Sequence, residues 1–372
     1  MHLPLVDLEA QYTSIKQEID GAISEVLNSA HFINGKWVKE FEENFASYLD
    51  SKYCVSLGNG TDAIYLSLKA IGINKGDEVI TVPNTFIATS ESISLAGGKI
   101  VWCDIDPDTY LMRLDNLESY ITSRTKCIIP VHLYGNPVNL FALQKIAKKH
   151  SLFILSDTAQ AHGAKINNMS IPSLSDIASY SFYPGKNLGA YGDGGAIVTN
   201  NKMLAEKVRS IANHGRKEKY IHDQEGINSR LDSIQAAILN VKLKYLNSWT
   251  EKRQMLAATY TKKLATIQGI KTPHIEEGVS HVYHLYVIRL LNKSRDELRA
   301  FLKDKGIETG VHYPLPLHLQ PAYEEQTSEL TKERLKQTKE ISDQILSLPL
   351  YPEMSYDDIN YVCLAIEEYM NK

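Results

Sequence analysis

Ser179-Tyr-Ser-Phe-Tyr-Pro-Gly-Lys186-Asn-Leu-Gly-Ala-Tyr-Gly-Asp-Gly-Gly-Ala196 decides how this chain is read. One lysine stands among small and kinked residues, between the strand-like runs Ile177–Phe182 and Ala196–Thr199. Such a lysine sits off the regular elements, where a sheet meets a cleft. Burial there disfavours an ammonium and leaves a nucleophilic amine. Five glycines and a proline nearby let the backbone approach a ligand closely. From these residues alone, a Schiff-base lysine and a surface lysine in a glycine-rich connection both stay open.

Outward from Lys186, short apolar runs alternate with helical patterns. The runs are Cys54–Leu57, Glu78–Val82, Lys99–Ile105, Lys126–His132, Leu152–Ser156, Ile177–Phe182 and Ala196–Thr199. Most are continuous rather than alternating, as in strands covered on both faces. The fold expected is α/β: a mostly parallel sheet of about seven strands flanked by helices. Thr61–Ile71 and Leu140–His150 read as two of those helices, and a third is expected from Asp232 to about Thr250, with Asn228, Ser229 and Asp232 as capping candidates. Beyond it the order becomes α+β: strand His284–Leu290, helix Arg295–Lys305, strand Glu308–His312 and a last helix from about Tyr356. The domains expected are therefore 1–249, large, and 250–372, small, with the first helices free to pack on either. A chain of 372 residues exceeds what one core comfortably holds.

A net charge of −4 gives no electrostatic reason to expect nucleic acid. No apolar stretch approaches a membrane span, and the first residues lack the basic-then-apolar pattern of a secretory signal. A cytoplasmic protein is expected. Cys54, Cys103, Cys127 and Cys363 form no Cys-x-x-Cys and read as buried free thiols. His281-x-x-His284 reads as structural or substrate-facing, so no metal site is expected.

In open α/β sheets, ligands bind beyond the carboxyl ends of the strands. Asp157 falls at such an end, with Gln160 and His162 just after it; Ser181 and Lys186 do likewise. Gly58-Asn-Gly60-Thr61-Asp62 leads straight into a helix, whose first amides and dipole suit a phosphate. The same stretch fits a relaxed dinucleotide pattern. A nicotinamide enzyme, however, needs an acid at the end of the second strand, and Asp77 and Glu78 lie at its beginning. Asp157, Lys186 and a phosphate cradle share one coherent use, the holding of pyridoxal phosphate: carboxylate to ring nitrogen, amine to aldehyde, helix start to phosphate.

The chain resembles the sugar aminotransferases of the DegT/DnrJ/EryC1/StrS group, with the type I fold of aspartate aminotransferase. The motifs are Gly60-Thr-Asp-Ala63, Asp77-Glu-Val-Ile80, Asp157-Thr-Ala-Gln-Ala-His162, Ser181-Phe-Tyr-Pro-Gly-Lys186, Gly192-Asp-Gly-Gly195 and Asn228-Ser-Arg-Leu-Asp232-Ser-Ile-Gln-Ala-Ala237. The resemblance implies that Lys186 binds the cofactor and shuttles the proton, and that Asp157 keeps the ring nitrogen protonated. It implies that Gln160 meets the ring or its hydroxyl and that Phe86 stacks on it. The Thr61 and Asp62 amides, in the turn that Gly60 begins, and the Ser181 hydroxyl would take the phosphate. Asn228 would serve the partner subunit of a homodimer with shared active sites. Taken alone, Asn228 reads as a helix cap.

The reaction implied moves an amino group from L-glutamate, through pyridoxamine phosphate, to a nucleotide-linked keto-sugar. Relatives with histidine in place of the lysine catalyse dehydration; Lys186 departs from that branch. The form of the lysine motif, with Asp193-Gly-Gly195 where 4-keto enzymes tend to have Glu-Gly-Gly, resembles enzymes of 3-keto sugars. A dTDP-3-keto-6-deoxyhexose is expected, with a UDP-linked 3-keto sugar or a 4-keto acceptor as alternatives. The product would be an amino sugar for a glycan, O-antigen, S-layer or natural product. His162, Tyr183, His214, Arg216, His312, Tyr313 and His318 are the substrate candidates. For Arg216 a solvated basic turn is the competing reading. An idle regulatory dimer is a second class of function, weakened by the presence of Lys186 and Asp157.

Overall fold

The apolar runs form one sheet in the computed structural model, which describes residues 2–372. Its strands are β1 (Tyr53–Leu57), β2 (Glu78–Thr81), β3 (Lys99–Trp102), β4 (Thr125–Ile128), β5 (Phe153–Asp157), β6 (Ile177–Ser181) and β7 (Gly195–Thr199). Their order is β1-β7-β6-β5-β4-β2-β3. From β6 through β5, β4 and β2 to β3 every pairing is parallel, while β7 runs antiparallel to both β6 and β1. Neighbouring residues on a strand point to opposite faces, and both faces are covered. Val79 and Leu155 enter one core, Ile80 and Ile154 the other. This is why the strands read as unbroken apolar runs.

Helices α1 (Leu8–Ser29), α2 (Lys36–Tyr48), α3 (Gly60–Ile71), α4 (Ala88–Leu95), α5 (Leu140–His150), α6 (Lys202–Ala212), α7 (Ser233–Leu243) and α8 (Leu246–Leu264) follow. α3, α4 and α6 cover one face; α2, α5 and α7 the other. α1 packs on the large domain, its Ile15 and Ile19 against Ile238, Val241 and Trp249. The helix expected from Asp232 to Thr250 is two helices, broken at Lys244–Tyr245. Residue 250 lies early in α8, which changes cores along its length. Trp249 packs with α1 and α7, whereas Leu256, Tyr260 and Leu264 enter the small core.

The small domain pairs Ile270–Lys271, Tyr286–Leu290 and Ile345–Leu348 in an antiparallel sheet. Helices Arg295–Asp304 and Tyr356–Met370 cover it, and the latter buries Ile359, Val362, Cys363 and Ile366. The strand expected at Glu308–His312 does not form. Gly310 makes only a bridge to Ser347, and the place in the sheet belongs to Ile345–Leu348. All four cysteines are buried and free. Among the described residues no helix is long and apolar enough to cross a membrane, and no cluster of side chains suits a metal ion.

Candidate active site

The parallel strands end at one cleft of about 560 Å³. β5 brings Asp157, β6 brings Ser181, the turn after it brings Lys186, and the start of α3 brings Gly60 and Thr61. Phe86, Gln160, Tyr183, His312 and Tyr313, also expected at the site, line it too. A hollow between α2 and α6 is larger, about 790 Å³, but its charged centre is Arg209 already paired with Glu42 at 2.7 Å. The strand-end cleft instead gathers a buried carboxylate, Asp157, with a lysine, Lys186.

Asp157 is 5% exposed. Thr89 Oγ1 donates to its Oδ2 at 2.7 Å, and the Ala159 amide to its Oδ1 at 3.2 Å. Burial raises its pKa; the two donors and the charge of Lys186 act the other way. Lys186 keeps part of its surface open to the cleft, yet the protein around it withholds water. That desolvation brings its amine down to about 8, against the pull of Asp157. An amine tuned into this range can be neutral and nucleophilic near neutral pH.

The residues fit pyridoxal phosphate. Asn59 caps α3 by taking the Asp62 amide at 2.8 Å. Gly60 and Thr61, whose amides stand at the helix start, line the cleft, an arrangement suited to an anion. A Cβ on Gly60 would lie 2.6 Å from Ser181 Cβ, so only glycine lets the helix start come this close to β6. Phe86 is 56% exposed, an apolar ring awaiting cover at the cleft wall, with Tyr313 6.2 Å away. Gln160 is fixed from both ends: its Oε1 takes the Tyr134 amide at 2.7 Å and its Nε2 reaches Tyr313 Oη at 3.3 Å.

Several expected residues lie elsewhere. The Asp62 amide is spent on Asn59, and its carboxylate accepts from Ser229 Oγ at 2.6 Å, away from the cleft. His162 is fully buried among Phe45, Tyr180 and Phe182, and burial takes its pKa to about 3; it is a core histidine, not a substrate contact. His318 is likewise buried, in a short turn beside the cleft. His214 and Asn228 are exposed, and Arg216 is half-buried at the start of a hairpin; none lines this chain's own cleft. Asn228 caps no helix: its backbone bridges Asn213, and the residue before α7 is Asp232.

Other cleft residues escape a reading of the sequence. Thr89 reaches Asp157 because the start of α4 meets the end of β5, and Thr85 supports it at 3.0 Å. By contrast, His284, which the sequence marks as structural or substrate-facing, lines the cleft and meets Asn187 at 3.2 Å. The spacing of Thr85 and Thr89, one helical turn, was the only available signal for that pair.

A buried lysine, a carboxylate and a helix-start anion cradle on a type I architecture define a pyridoxal phosphate enzyme. Residues 13–367 match the model of the DegT/DnrJ/EryC1/StrS aminotransferase family, and the chain belongs to that family. It is 48% identical, over 99% of both chains, to a protein of Geobacillus stearothermophilus named pleiotropic regulatory protein. It is 41% identical to the dTDP-3-amino-3,4,6-trideoxy-alpha-D-glucose transaminase of Streptomyces venezuelae, over all of this chain and 97% of the other. The crystal structure of S. venezuelae DesV with a ketimine intermediate superposes with a TM-score of 0.97 at 40% identity, covering 100% of this chain and 99% of that one. The chain is thus an aminotransferase, and its cofactor is pyridoxal phosphate.

Proposed function

We propose that this chain moves the amino group of L-glutamate to the C3 carbonyl of a nucleotide-linked 3-keto sugar, a dTDP-3-keto-6-deoxyhexose in the first instance. The observation that carries the reading is Lys186, its amine depressed to about 8, in one cleft with the buried Asp157. Pyridoxal phosphate, when bound, supplies the electron sink that lets an amino-bearing carbon lose its proton. Lys186 Nζ is the base that takes that proton and returns it. Asp157 is the anion that holds a protonated ring nitrogen, steadied by Thr89. Gly60, Thr61 and Ser181 would hold the phosphate, and Phe86 would cover the ring.

The choice of a 3-keto acceptor rests on Asp193, which lines the cleft, and on the likeness to the 3-amino-sugar transaminase. His312, Tyr313 and Tyr183 stand at the cleft wall where a sugar would lie. His214, Arg216 and Asn228, absent from their own cleft, are assigned to the partner's cleft in a homodimer. The exposed Phe32, Ile33, Tyr220 and Ile221 are apolar side chains that such an assembly would cover. The regulatory name of the Geobacillus relative favours a second reading, an idle dimer, but the intact pair Lys186 and Asp157 speaks for turnover.

The test is a mass-spectrometric product assay with glutamate and dTDP- and UDP-linked 3-keto and 4-keto sugars. Amination of a 3-keto substrate, placed by NMR at C3, is expected. Amination only of 4-keto sugars would overturn the acceptor, and no amination together with no response of the bound cofactor to glutamate would overturn the donor.

A further inference from the structure

Lys242 is a buried cation that the reaction does not use. It lies on α7 and is 1% exposed. An ammonium taken out of water is costly to hold. This one donates to the Gly189 carbonyl at 2.7 Å and lies 4.2 Å from the centre of the Tyr191 ring. Gln235 stands two helical turns earlier on the same face of α7. Its Oε1 takes the Tyr191 amide at 2.8 Å and its Nε2 donates to the Tyr191 carbonyl at 3.3 Å. One helix therefore grips three backbone groups of a single short segment.

That segment begins three residues after Lys186, and the turn between is closed on itself. The Lys186 amide donates to Tyr183 O at 2.9 Å and the Ala190 amide to Phe182 O at 2.8 Å. A Cβ on Gly189 would fall 2.2 Å from Pro184 O, so the turn has no slack there. A Cβ on Gly192 would come within 3.0 Å of Gln235 Nε2. A displacement of Gly189 or Tyr191 is thus passed to Lys186 rather than absorbed between them.

We infer that Lys242 and Gln235 form a latch on α7 that positions Lys186 for reaction, acting through Gly189 and Tyr191 without touching substrate. The inference rests on the reading of Lys186 as the cofactor-bound lysine. Its test compares Lys242→Met and Gln235→Leu with the unaltered enzyme, all loaded with pyridoxal phosphate. Four quantities are measured: borohydride labelling at Lys186, visible circular dichroism of the bound cofactor, kcat and KM for glutamate, and Tm. Both variants should label at Lys186, lose visible dichroism, and lose kcat by about tenfold with little change in KM, as for a displaced catalytic group. Unchanged dichroism and kcat in either folded variant, with only Tm lowered, would overturn the latch. Failure of the unaltered enzyme to label at Lys186 would instead overturn the reading of Lys186, and the latch with it.

Discussion

Thr89 Oγ1 donates to Asp157 Oδ2 at 2.7 Å, joining the first turn of α4 to the end of β5 at the floor of the cleft. The bond opposes the burial that pushes the Asp157 carboxyl up. A carboxylate with a raised pKa is lost as pH falls through that raised value, so removing a donor moves the loss to higher pH. Thr89→Val should lower kcat/KM by about tenfold, in keeping with a hydrogen bond to a charged group. The acid limb of its pH–rate profile should shift upward. An unmoved limb would show that Asp157 is not held by Thr89 in the working enzyme.

Lys186 also has a cost. Its amine falls from 10.5 to about 8 because burial opposes the charge. The unfolded chain binds that proton more tightly, so the cofactor-free fold is penalised below about pH 8 and relieved as pH rises toward 10.5. Lys186→Met should stabilise the cofactor-free protein at pH 7 by up to roughly 3 kcal/mol, a figure that already includes the pull of Asp157. The gain should shrink above pH 8, while transamination disappears. Chemical denaturation across pH 7–10 checks this, and a pH-independent loss of stability would contradict it.

Gly60 meets Ser181 too closely for any side chain. Gly60→Ala must push α3 away from β6, and its phosphate-facing amides with it. An overpacked contact costs about 1–3 kcal/mol. Equilibrium titration with pyridoxal phosphate should show a Kd weakened by roughly tenfold or more. An affinity equal to the parent's would place the phosphate elsewhere.

His132, His162 and His281 are buried, each with its pKa brought down to about 3 by desolvation. A lowered histidine gives stability that is present above its unfolded pKa of about 6.5 and is lost as pH falls toward 3. Each should cost roughly 2 kcal/mol at pH 5, so acid unfolding should be steep. His162→Leu should keep transamination and soften the acid transition, since the ring packs on Phe45, Tyr180 and Phe182. Loss of activity without loss of fold would return His162 to the site.

That Asp157 and Lys186 share one cleft was legible, because Asp157 closes an apolar run and Lys186 stands in the glycine-rich turn after another. α5 was read to the residue, its cap Asn139 and its closing Ser151 in a left-handed turn being local features. The runs at Lys99–Ile105 and Lys126–His132 were read too long, since apolar character continues into buried connections after β3 and β4. Thr89 was not legible, because its role depends on β5 and β2 lying either side of β4, an order the chain does not spell out. His162 was misread for the same reason: being near Asp157 in sequence does not say which face of the sheet a ring enters. His214, Arg216 and Asn228 lie outside this chain's own cleft, because nearness to a motif in sequence does not set which surface a side chain reaches.

The most direct test of Lys186 as the cofactor-bound lysine is borohydride reduction of the pyridoxal phosphate-loaded protein, followed by peptide mass spectrometry. A single reduced cofactor adduct is expected, on the peptide carrying Lys186, and none after Lys186→Met. An adduct on another lysine, or equal labelling of the Lys186→Met protein, would contradict it.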